Sequence, residues 1–423
     1  MVSTPKAVIT DGTWHGVVPA GWSLKQLKWA VTFQRGHDLP TEDRQEGPVP
    51  VVTGAGITGW HTVAQARGPG IVTGRYGTIG EFYLVEQDYW PLNTSLYSID
   101  LHDNHAGFLR YMLEPLAPLF HLNAAKSAVP GIDRSDIHTI PVAIPPLATQ
   151  RTIADYLDRE TVQLDRLVAA KERVLGLLAE KRRALITRAV TRGLDLGAPV
   201  RDSGIPWVGE IPEHWRTKRL RWLIHTIEQG WSPEAENREP NEAEWAVLKL
   251  NAVAHGQFNP SAAKALPVGL EARADLEVHP GDFLITRANT PALVGDVCFV
   301  TEVRPLLMLC DLIYRLRLLD DRLDGQYLNH FFTSPKGREQ IESDARGTSN
   351  SMVKISQEHI KNWWLPLPPI DEQRAIVAHI ATETAKLDAL RMATERTIAL
   401  LKERRAALIA AAVTGRLHIP EAA

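Results

Sequence analysis

Cysteine is scarce in this chain of 423 residues, which contains only Cys298 and Cys310. Two thiols cannot build a disulfide framework and their spacing matches no zinc motif, so we expect small buried side chains and a reducing, cytoplasmic setting. No apolar run approaches the roughly 20 residues that a membrane-spanning helix needs. The N-terminus lacks a cationic start followed by an apolar run, so we expect no signal peptide and no membrane partner.

A basic excess is also missing, because the formal net charge is −3 and the sequence pI is about 6.6. Domains that bind nucleic acids usually show such an excess. The electrostatic footprint of a binding site can nevertheless be local. The bulk charge therefore neither predicts nor excludes DNA as a partner.

Signatures of catalysis are absent as well. The chain has no G-x-x-x-x-G-K-[ST] loop and no H-E-x-x-H pair, so we expect no nucleotide hydrolysis of its own. "GAGITG" at 54–59 has the glycine spacing of a dinucleotide fingerprint, but no helical pattern follows it, and we interpret it as a turn. We predict no catalytic, cofactor-binding or metal-ligating residue in this chain.

What the chain does contain is an internal repeat. "PPLATQR" at 145–151 returns as "PPIDEQR" at 368–374. The distance along the chain between the two motifs, 368 minus 145 residues, is the repeat offset. The same offset aligns 145–196 with 368–419 without a gap, and 24 of the 52 aligned pairs are identical. A match of this length and identity indicates a duplicated structural unit.

Both copies of the repeat are predicted to be long helices, since they are rich in helix-forming residues and contain no proline after the opening pair. Apolar residues recur at multiples of seven, and one heptad position in each copy is polar, as expected of a coiled-coil pair with a fixed register. Core packing alone could explain one such stripe, but two matched stripes favour helices that pack on each other as a spacer. The predicted packing positions are Leu157, Leu164, Leu178 and Leu185 with Ile380, Leu387, Leu401 and Leu408, and the polar breaks are Lys171 and Thr394.

A weaker correspondence lies upstream of each helix, where "VPAGWSLKQLKWAV" (18–31) resembles "IPEHWRTKRLRWLI" (211–224). The segments between are punctuated by glycine and read as short strands, with Arg75 near Arg287 in a shared frame. The predicted fold class is α+β, with two β-rich globular segments, two long antiparallel helices and an internal pseudo-two-fold repeat. The predicted boundaries are an N-terminal tail at 1–18, a globular segment at 19–144, a helix at 145–196, a linker at 197–211, a second globular segment at 212–367 and a helix at 368–419.

Polar and basic residues in the loops of the two globular segments are the candidates for binding. Arginine can bind guanine bidentately, asparagine and glutamine can bind adenine, and lysine mostly contacts phosphate. Any one of these side chains could be an ordinary surface residue, but as a set on duplicated segments they predict a DNA-reading face. The set is Gln34, Arg35, Arg67, Arg75, Tyr76 and Lys126 in the first segment and Lys249, Asn251, Arg287, Asn289, Arg346, Asn350 and Lys354 in the second.

This layout resembles the specificity (S) subunit of type I restriction-modification systems, the HsdS family. The resemblance covers 22–417 and rests on the repeated "PP-x-x-x-QR" and "T-x-x-LD-x-L" helix openings and the two "ALI…AVT" helix ends. "PGDFLITRANTPALVG", "PLNTSLY" and "GTSNSMVKIS" are similar to phrases of its target-recognition domains. One departure is "NAAKSAVPGI", which stands in the first segment where the second has a phrase rich in glycine and serine.

The resemblance implies that each globular segment is a target-recognition domain that reads one half of a bipartite, asymmetric site in double-stranded DNA. It implies that the helices set the distance between the half-sites and dock two methyltransferase (M) subunits, which methylate adenine. S-adenosylmethionine, ATP and Mg are then expected in partner subunits, the ATP in a separate motor-nuclease (R) subunit, and no cofactor in this chain.

Other interpretations stay open from the sequence alone. The chain could serve a related system whose partner is a fused methyltransferase-nuclease, or it could be a solitary subunit that directs methylation only. From other functional classes, it could be an enzyme with an unrecognised active site, or a coiled-coil scaffold without DNA binding. The recognised bases and the spacer length do not follow from the sequence, because recognition also depends on DNA deformation.

Overall fold

A computed structural model describes residues 8–10, 13–15, 17–125, 131–236, 238–267, 269–345 and 353–419 of this chain. It divides into two compact units, of which unit 1 comprises 1–173 and 394–423 and unit 2 comprises 174–393. Both contain helices and sheets, which confirms the predicted α+β class. No helix among the described residues is long and apolar enough to cross a membrane.

Unit 1 is built around a four-stranded sheet in the order β4-β10-β7-β8 and a three-stranded sheet in the order β6-β5-β9. The three-stranded sheet mixes an antiparallel pair, β5 with β6, and a parallel pair, β5 with β9. Strands β3 and β11 form a separate antiparallel pair, as do β1 and β2 within the predicted tail. The strands are β1 Val8–Thr10, β2 Thr13–His15, β3 Ser23–Gln26, β4 Thr32–Arg35, β5 Val49–Thr53, β6 Gly56–His61, β7 Gly70–Gly74, β8 Phe82–Val85, β9 Trp90–Pro91, β10 Ser95–Asp100 and β11 Pro141–Ile144.

Helices cover the four-stranded sheet of unit 1 and close its core. Phe108 and Leu109 in α1 and Phe120 in α2 are fully buried in one cluster with Phe33 and Ile71 of the sheet. The long helix α4 begins directly after β11, so the Pro-Pro pair marks the passage from strand to helix. The helices are α1 Ala106–Leu113, α2 Ala117–Ala124, α3 Arg134–Ile137 and α4 Leu147–Arg192.

Unit 2 repeats the two sheets of unit 1. Its four-stranded sheet has the order β15-β24-β20-β22, and its three-stranded sheet has the order β19-β16-β23 and again mixes an antiparallel with a parallel pair. Its strands are β12 Val200–Asp202, β13 Glu210–Pro212, β14 Arg216–Arg219, β15 Ile224–Gln229, β16 Ala246–Leu248, β17 Val253–Ala254, β18 Gln257–Phe258, β19 Ala263–Ala265, β20 Phe283–Thr286, β21 Ala288–Asn289, β22 Val297–Phe299, β23 Leu307–Met308, β24 Ile313–Leu318, β25 Val353–Lys354 and β26 Trp364–Leu367. Its helices are α5 Gly325–Thr333, α6 Pro335–Asp344, α7 Gln357–Asn362 and α8 Ile370–Val413.

The stretch predicted as a linker, 197–211, is folded rather than extended. It contains β12 and most of β13, which pair antiparallel. Ile205, Val208 and Ile211 are buried in the core of unit 2 together with Trp215. Glycine, proline and polar residues in this stretch form a tight hairpin instead of a flexible connection.

The glutamine of each "PP-x-x-x-QR" motif is buried and anchors the start of a long helix to its unit. Gln150 accepts a hydrogen bond at 2.8 Å from the backbone N–H of His105, the residue that caps α1, and donates to the carbonyl of Pro145 at 2.9 Å. Gln373 likewise accepts at 2.8 Å from the N–H of Asp324, which caps α5, and donates to Pro368 at 2.9 Å. The motif recurs because the same backbone groups need hydrogen-bond partners at the start of each long helix.

The two long helices, of 46 and 44 residues, are continuous, and each contributes to both units. Four of the predicted heptad positions, Leu157, Leu164, Ile380 and Leu387, are at most 6% exposed. The other four predicted positions, Leu178, Leu185, Leu401 and Leu408, are half-buried.

Candidate nucleic-acid interface

In unit 1, an edge strand and the start of α3 border one open cleft. Strand β4 pairs only with β10, so its outer edge is unpaired among the described strands. Gln34 and Arg35 lie at its end and line a cavity of about 530 Å³. The remaining lining residues are Gly36, His37, Asp38, Asp133 and Arg134.

Arg75 approaches this cleft from the turn after β7. Its guanidinium lies 3.9 Å from the carboxylate of Asp133 and 5.0 Å from the ring centre of Tyr76, a cation–π distance. Its backbone is fixed on both sides, because its N–H donates to Thr94 and its carbonyl accepts from Ile132. Arg75 is half-buried and Tyr76 is 42% exposed. A rigid backbone thus presents an aromatic ring and a guanidinium to solvent.

Of the residues predicted in the first segment, Gln34 and Arg35 line the cleft, and Arg75 with Tyr76 lies beside it through the contact of Arg75 with Asp133. Arg67 is exposed on the loop between β6 and β7 and does not line the cleft. Lys126 lies outside the described residues. Arg134 escaped the sequence prediction, although its position beside the helix-capping Asp133 was a usable signal.

In unit 2, three predicted residues meet on a short pair of strands. Ala288 and Asn289 of β21 pair antiparallel with Val353 and Lys354 of β25. Arg287 precedes β21, and its ring-stacking partner is Tyr314, 6.0 Å from the guanidinium. Arg287, Asn289 and Lys354 thus lie in or beside one strand pair, with Lys354 exposed and the other two half-buried. Because Lys354 pairs with Ala288, its side chain lies on the face of the pair opposite to that of Asn289.

The other predicted residues of the second segment do not join this group. Lys249 and Asn251 lie on the turn that follows β16, where Asn251 is exposed. Arg346 and Asn350 lie outside the described residues.

Arg75 and Arg287 occupy equivalent places in the two units. The carbonyl of Arg75 accepts from Ile132, and the carbonyl of Arg287 accepts from Ile355, which is the counterpart of Ile132 at the repeat offset. Their backbone N–H groups donate to Thr94 and Leu312, each at the entry to the equivalent strand, β10 or β24. Each unit therefore holds one arginine in the same backbone frame.

Strands β4 and β15 lie at the same edge of their four-stranded sheets, and each is followed by a glycine that lies close to another backbone segment. A Cβ on Gly36 would lie 2.1 Å from the carbonyl oxygen of Leu92, and one on Gly230 would lie 2.2 Å from that of Cys310. Only glycine fits such an approach. The residues just before these glycines differ between the units, being Gln34 and Arg35 in one and Glu228 and Gln229 in the other.

Behind the edge of unit 2 lies a charge cluster that the sequence did not predict. Arg315 is 1% exposed, donates from Nε to Glu228 at 2.7 Å and lies 3.3 Å from the fully buried carboxylate of Asp282. Arg317 also bonds Asp282. Tyr97 takes the place of Arg315 in unit 1 and contacts His37 at 3.1 Å. Strand alternation alone could not distinguish a buried, paired arginine from an exposed one.

Chemically, these surfaces offer guanidinium, ammonium and amide donors beside aromatic rings. Such groups bind phosphates and base edges. No group of three or more histidine, cysteine, aspartate or glutamate residues in the described parts of the chain is arranged to hold a metal ion. Burial raises the pKa of Cys310 to about 11, so this thiol is protonated near neutrality.

Comparison with protein families places unit 1 in a known group. Residues 20–172 match the family model described as "Type I restriction modification DNA specificity domain". Unit 1 carries a type I specificity domain. The family resemblance inferred from the repeated motifs is thereby confirmed.

Curated relatives extend the similarity of the specificity domain along the chain. The specificity subunit of the type I restriction enzyme EcoEI from Escherichia coli is 33% identical over 183 residues, which cover 43% of this chain and 30% of that protein. The EcoKI specificity subunit from E. coli strain K12 is 26% identical over 300 residues, covering 70% of this chain and 61% of that protein. The matches thus span less than two thirds of these relatives.

Solved structures support the fold around the specificity domain. A chain from a structure of the type I R-M system, described as addressing its assembly and conformational transition, has a TM-score of 0.71 at 17% identity and covers 95% of this chain and 100% of that one. The HsdS subunit from Thermoanaerobacter tengcongensis has a TM-score of 0.51 at 18% identity, covering 95% and 98%. At these identities the likeness concerns the fold.

Proposed function

We propose that this chain is the DNA-specificity subunit of a type I restriction-modification complex and that each unit reads one half of a bipartite, asymmetric DNA site. In this proposal both globular segments are target-recognition domains, and the chain contributes recognition rather than catalysis. Unit 1 reads through the cleft lined by Arg35 and through the neighbouring Arg75, and unit 2 through the strand pair that holds Arg287, Asn289 and Lys354.

The proposal rests on one observation: the two units share the backbone hydrogen bonds that hold their arginines, but they differ in the residues at the ends of their edge strands. Arg75 and Arg287 are held by equivalent backbone hydrogen bonds, whereas the residues before Gly36 and Gly230 differ. A scaffold that repeats while its exposed edge changes suits a protein that must recognise two different sequences with one fold. An asymmetric site requires this difference.

The long helices are proposed to act as an antiparallel coiled-coil spacer related by a pseudo-two-fold axis. Arg182 pairs with Asp388 at 2.8 Å, and Arg405 pairs with Asp165 at 3.2 Å. The repeat offset relates Arg182 to Arg405 and Asp165 to Asp388, so one interaction occurs twice. Arg182 lies near the end of α4 and pairs with a residue in the first half of α8, and the second pair has the reverse arrangement. This supports antiparallel packing of the two helices.

Helices of 46 and 44 residues measure roughly 65–70 Å at about 1.5 Å per residue. That length corresponds to about two turns of B-DNA at roughly 34 Å per turn. The helices could therefore hold two readers on half-sites with unread base pairs between them. A pseudo-two-fold repeat also offers equivalent surfaces to two copies of a methyltransferase subunit.

We propose that S-adenosylmethionine is bound by those methyltransferase subunits, and ATP and Mg by the motor-nuclease subunit. The near-neutral charge of this chain fits the idea that its partners supply much of the phosphate contact. Under that idea, the affinity of the assembled complex for DNA should fall more steeply with salt than the affinity of this chain alone.

Selection of DNA duplexes from a randomised library tests the proposal. The complex of this chain with its methyltransferase subunits should enrich two short, different sequences at one fixed separation, with unconstrained bases between them. Enrichment of one continuous site, or no sequence enrichment although the complex forms, would contradict the proposal. The isolated methyltransferase, without this chain, is the matched control and should enrich nothing.

A further inference from the structure

One repeated motif of the two units is unused by DNA reading or by the helix spacer. "KQLKW" at 25–29 and "KRLRW" at 218–222 share the pattern K-x-L-[KR]-W. The leucines, Leu27 and Leu220, are fully buried, as expected of core residues. The tryptophans, in contrast, are exposed to solvent: Trp29 is 57% exposed and Trp222 is 64% exposed.

The motif occupies the same place in each unit. It runs along β3 or β14 and ends in a single 3-10 turn, Leu27–Trp29 or Leu220–Trp222. The N–H of Leu27 donates to Ile140 at 2.7 Å, and the N–H of Leu220 donates to Trp363 at 2.8 Å. The two acceptors are again counterparts at the repeat offset, so the turns are anchored identically.

The Trp29 ring has two close neighbours, and the turn that carries Trp222 is held in place by Arg221. The Lys28 ammonium lies 5.1 Å from the Trp29 ring, and the His102 ring contacts Trp29 edge-on at 6.2 Å. Beside Trp222, Arg221 donates to Glu358 and to Asn362, both at 2.7 Å. The indoles are therefore large apolar surfaces on ordered turns, which lowers the entropy cost of using them as contacts.

The nature of the ligand follows from what the two units share. Tryptophan is poorly suited to read base edges, because its indole offers one N–H donor and no acceptor. A phosphate contact needs a cation rather than an indole, and the cation beside Trp222 is already paired. An exposed tryptophan repeated at equivalent places therefore fits a ligand that is the same at both units.

We propose that Trp29 and Trp222 are equivalent anchors for two copies of one protein partner. That partner presents an apolar pocket for the indole with a carboxylate rim that complements Lys25 and Lys218, both exposed on the strand that leads to each tryptophan. Buried tryptophans at the centre of an interface commonly dominate its binding energy. Identifying the partner as the methyltransferase subunit rests on the proposed function, and it adds a contact outside the long helices.

The test uses the full-length chain co-expressed with the methyltransferase subunit, with copy number measured by native mass spectrometry. Trp29→Ala should lose one methyltransferase copy, Trp222→Ala should lose the other, and the double variant should lose both, with affinity for each copy reduced about 30-fold as for a hot-spot tryptophan. Trp60→Ala is the matched control, since Trp60 is 51% exposed in unit 1 but lies outside the motif. Circular dichroism should be unchanged in all of them.

Two methyltransferase copies at unchanged affinity in the double variant would overturn the inference. Loss of DNA affinity with both copies retained would do the same, by assigning the tryptophans to DNA. Failure of the proposed function has a different signature, because the wild-type chain would then recruit no methyltransferase or select no bipartite site. Arg75→Ala, which should change DNA selection but not copy number, separates the two cases within one experiment.

Discussion

The two units keep the same internal anchors but differ at their exposed edges. Gln150 and Gln373 make matching hydrogen bonds at the start of the long helices, and Arg75 and Arg287 sit in matching backbone frames. The edge before Gly36, in contrast, is backed by Tyr97, whereas the edge before Gly230 is backed by the buried Arg315.

This difference teaches which contacts constrain the sequence. Residues that join a sheet to a long helix meet the same backbone in both units, so the same side chains recur. Residues at the edges meet solvent or a ligand, so the core does not determine them. The changes below test whether the anchors are equivalent and whether the edges are independent.

The largest difference between the units is expected at the paired positions Arg315 and Tyr97. Arg315→Leu leaves the buried Asp282 carboxylate with fewer partners and should lower the free energy of unfolding by roughly 3–5 kcal/mol. Tyr97→Phe loses one hydrogen bond to His37 and should cost about 1 kcal/mol. Urea unfolding measures both. Equal losses would mean that the two edges are supported in the same way.

The repeated glutamines should behave alike. Gln150→Leu and Gln373→Leu retain volume but leave buried N–H and carbonyl groups unpaired, so each should cost roughly 3 kcal/mol. Gln163→Leu, at an exposed position of α4, is the control and should stay within about 0.5 kcal/mol of wild type. Urea unfolding again provides the measurement. A large loss for only one of the two glutamines would break the equivalence of the anchors.

The equivalent arginines should affect separate half-sites. Arg75→Ala and Arg287→Ala should each weaken binding by about 1–3 kcal/mol, because a base-contacting arginine typically contributes that much. Competition binding with duplexes altered in one half-site at a time locates the effect. Each variant should lose discrimination at one half-site and keep it at the other. Uniform weakening at both half-sites would instead indicate phosphate contacts.

Acid sensitivity is a further expected difference between the units. His330 and Tyr111 occupy the same position relative to the residue that caps their helix, Asp324 or His105. Burial, assisted by the nearby Arg182 charge, lowers the pKa of His330 from 6.5 to about 4, whereas burial raises the pKa of Tyr111 above its usual value of 10.

Folded His330 stays neutral while the unfolded chain binds a proton below pH 6.5, so the free energy of unfolding should fall as the pH falls from about 6.5 to about 4. His330→Gln should flatten part of this dependence, and His225→Gln, at an exposed position, is the control. Urea unfolding at several pH values checks the slope. An identical slope in His330→Gln would remove His330 as its source.

The sequence predicted the features that repeat, because repetition at a constant offset exposes positions under the same structural demand. It placed the two long helices and brought Arg75 and Arg287 into one frame. It did not predict the folded hairpin at 200–212, since glycine and proline mark tight turns and flexible connections alike. Nor did it predict Arg315, because burial of an arginine depends on carboxylates such as Asp282, distant in sequence.

The measurement that tests the central claim most directly is a genome-wide map of adenine methylation in the host, with and without this gene. The account predicts that deletion removes one motif of two short, different half-sites around a fixed gap and leaves all other methylation intact. An unchanged map, in cells where this chain co-purifies with an active adenine methyltransferase, would contradict it.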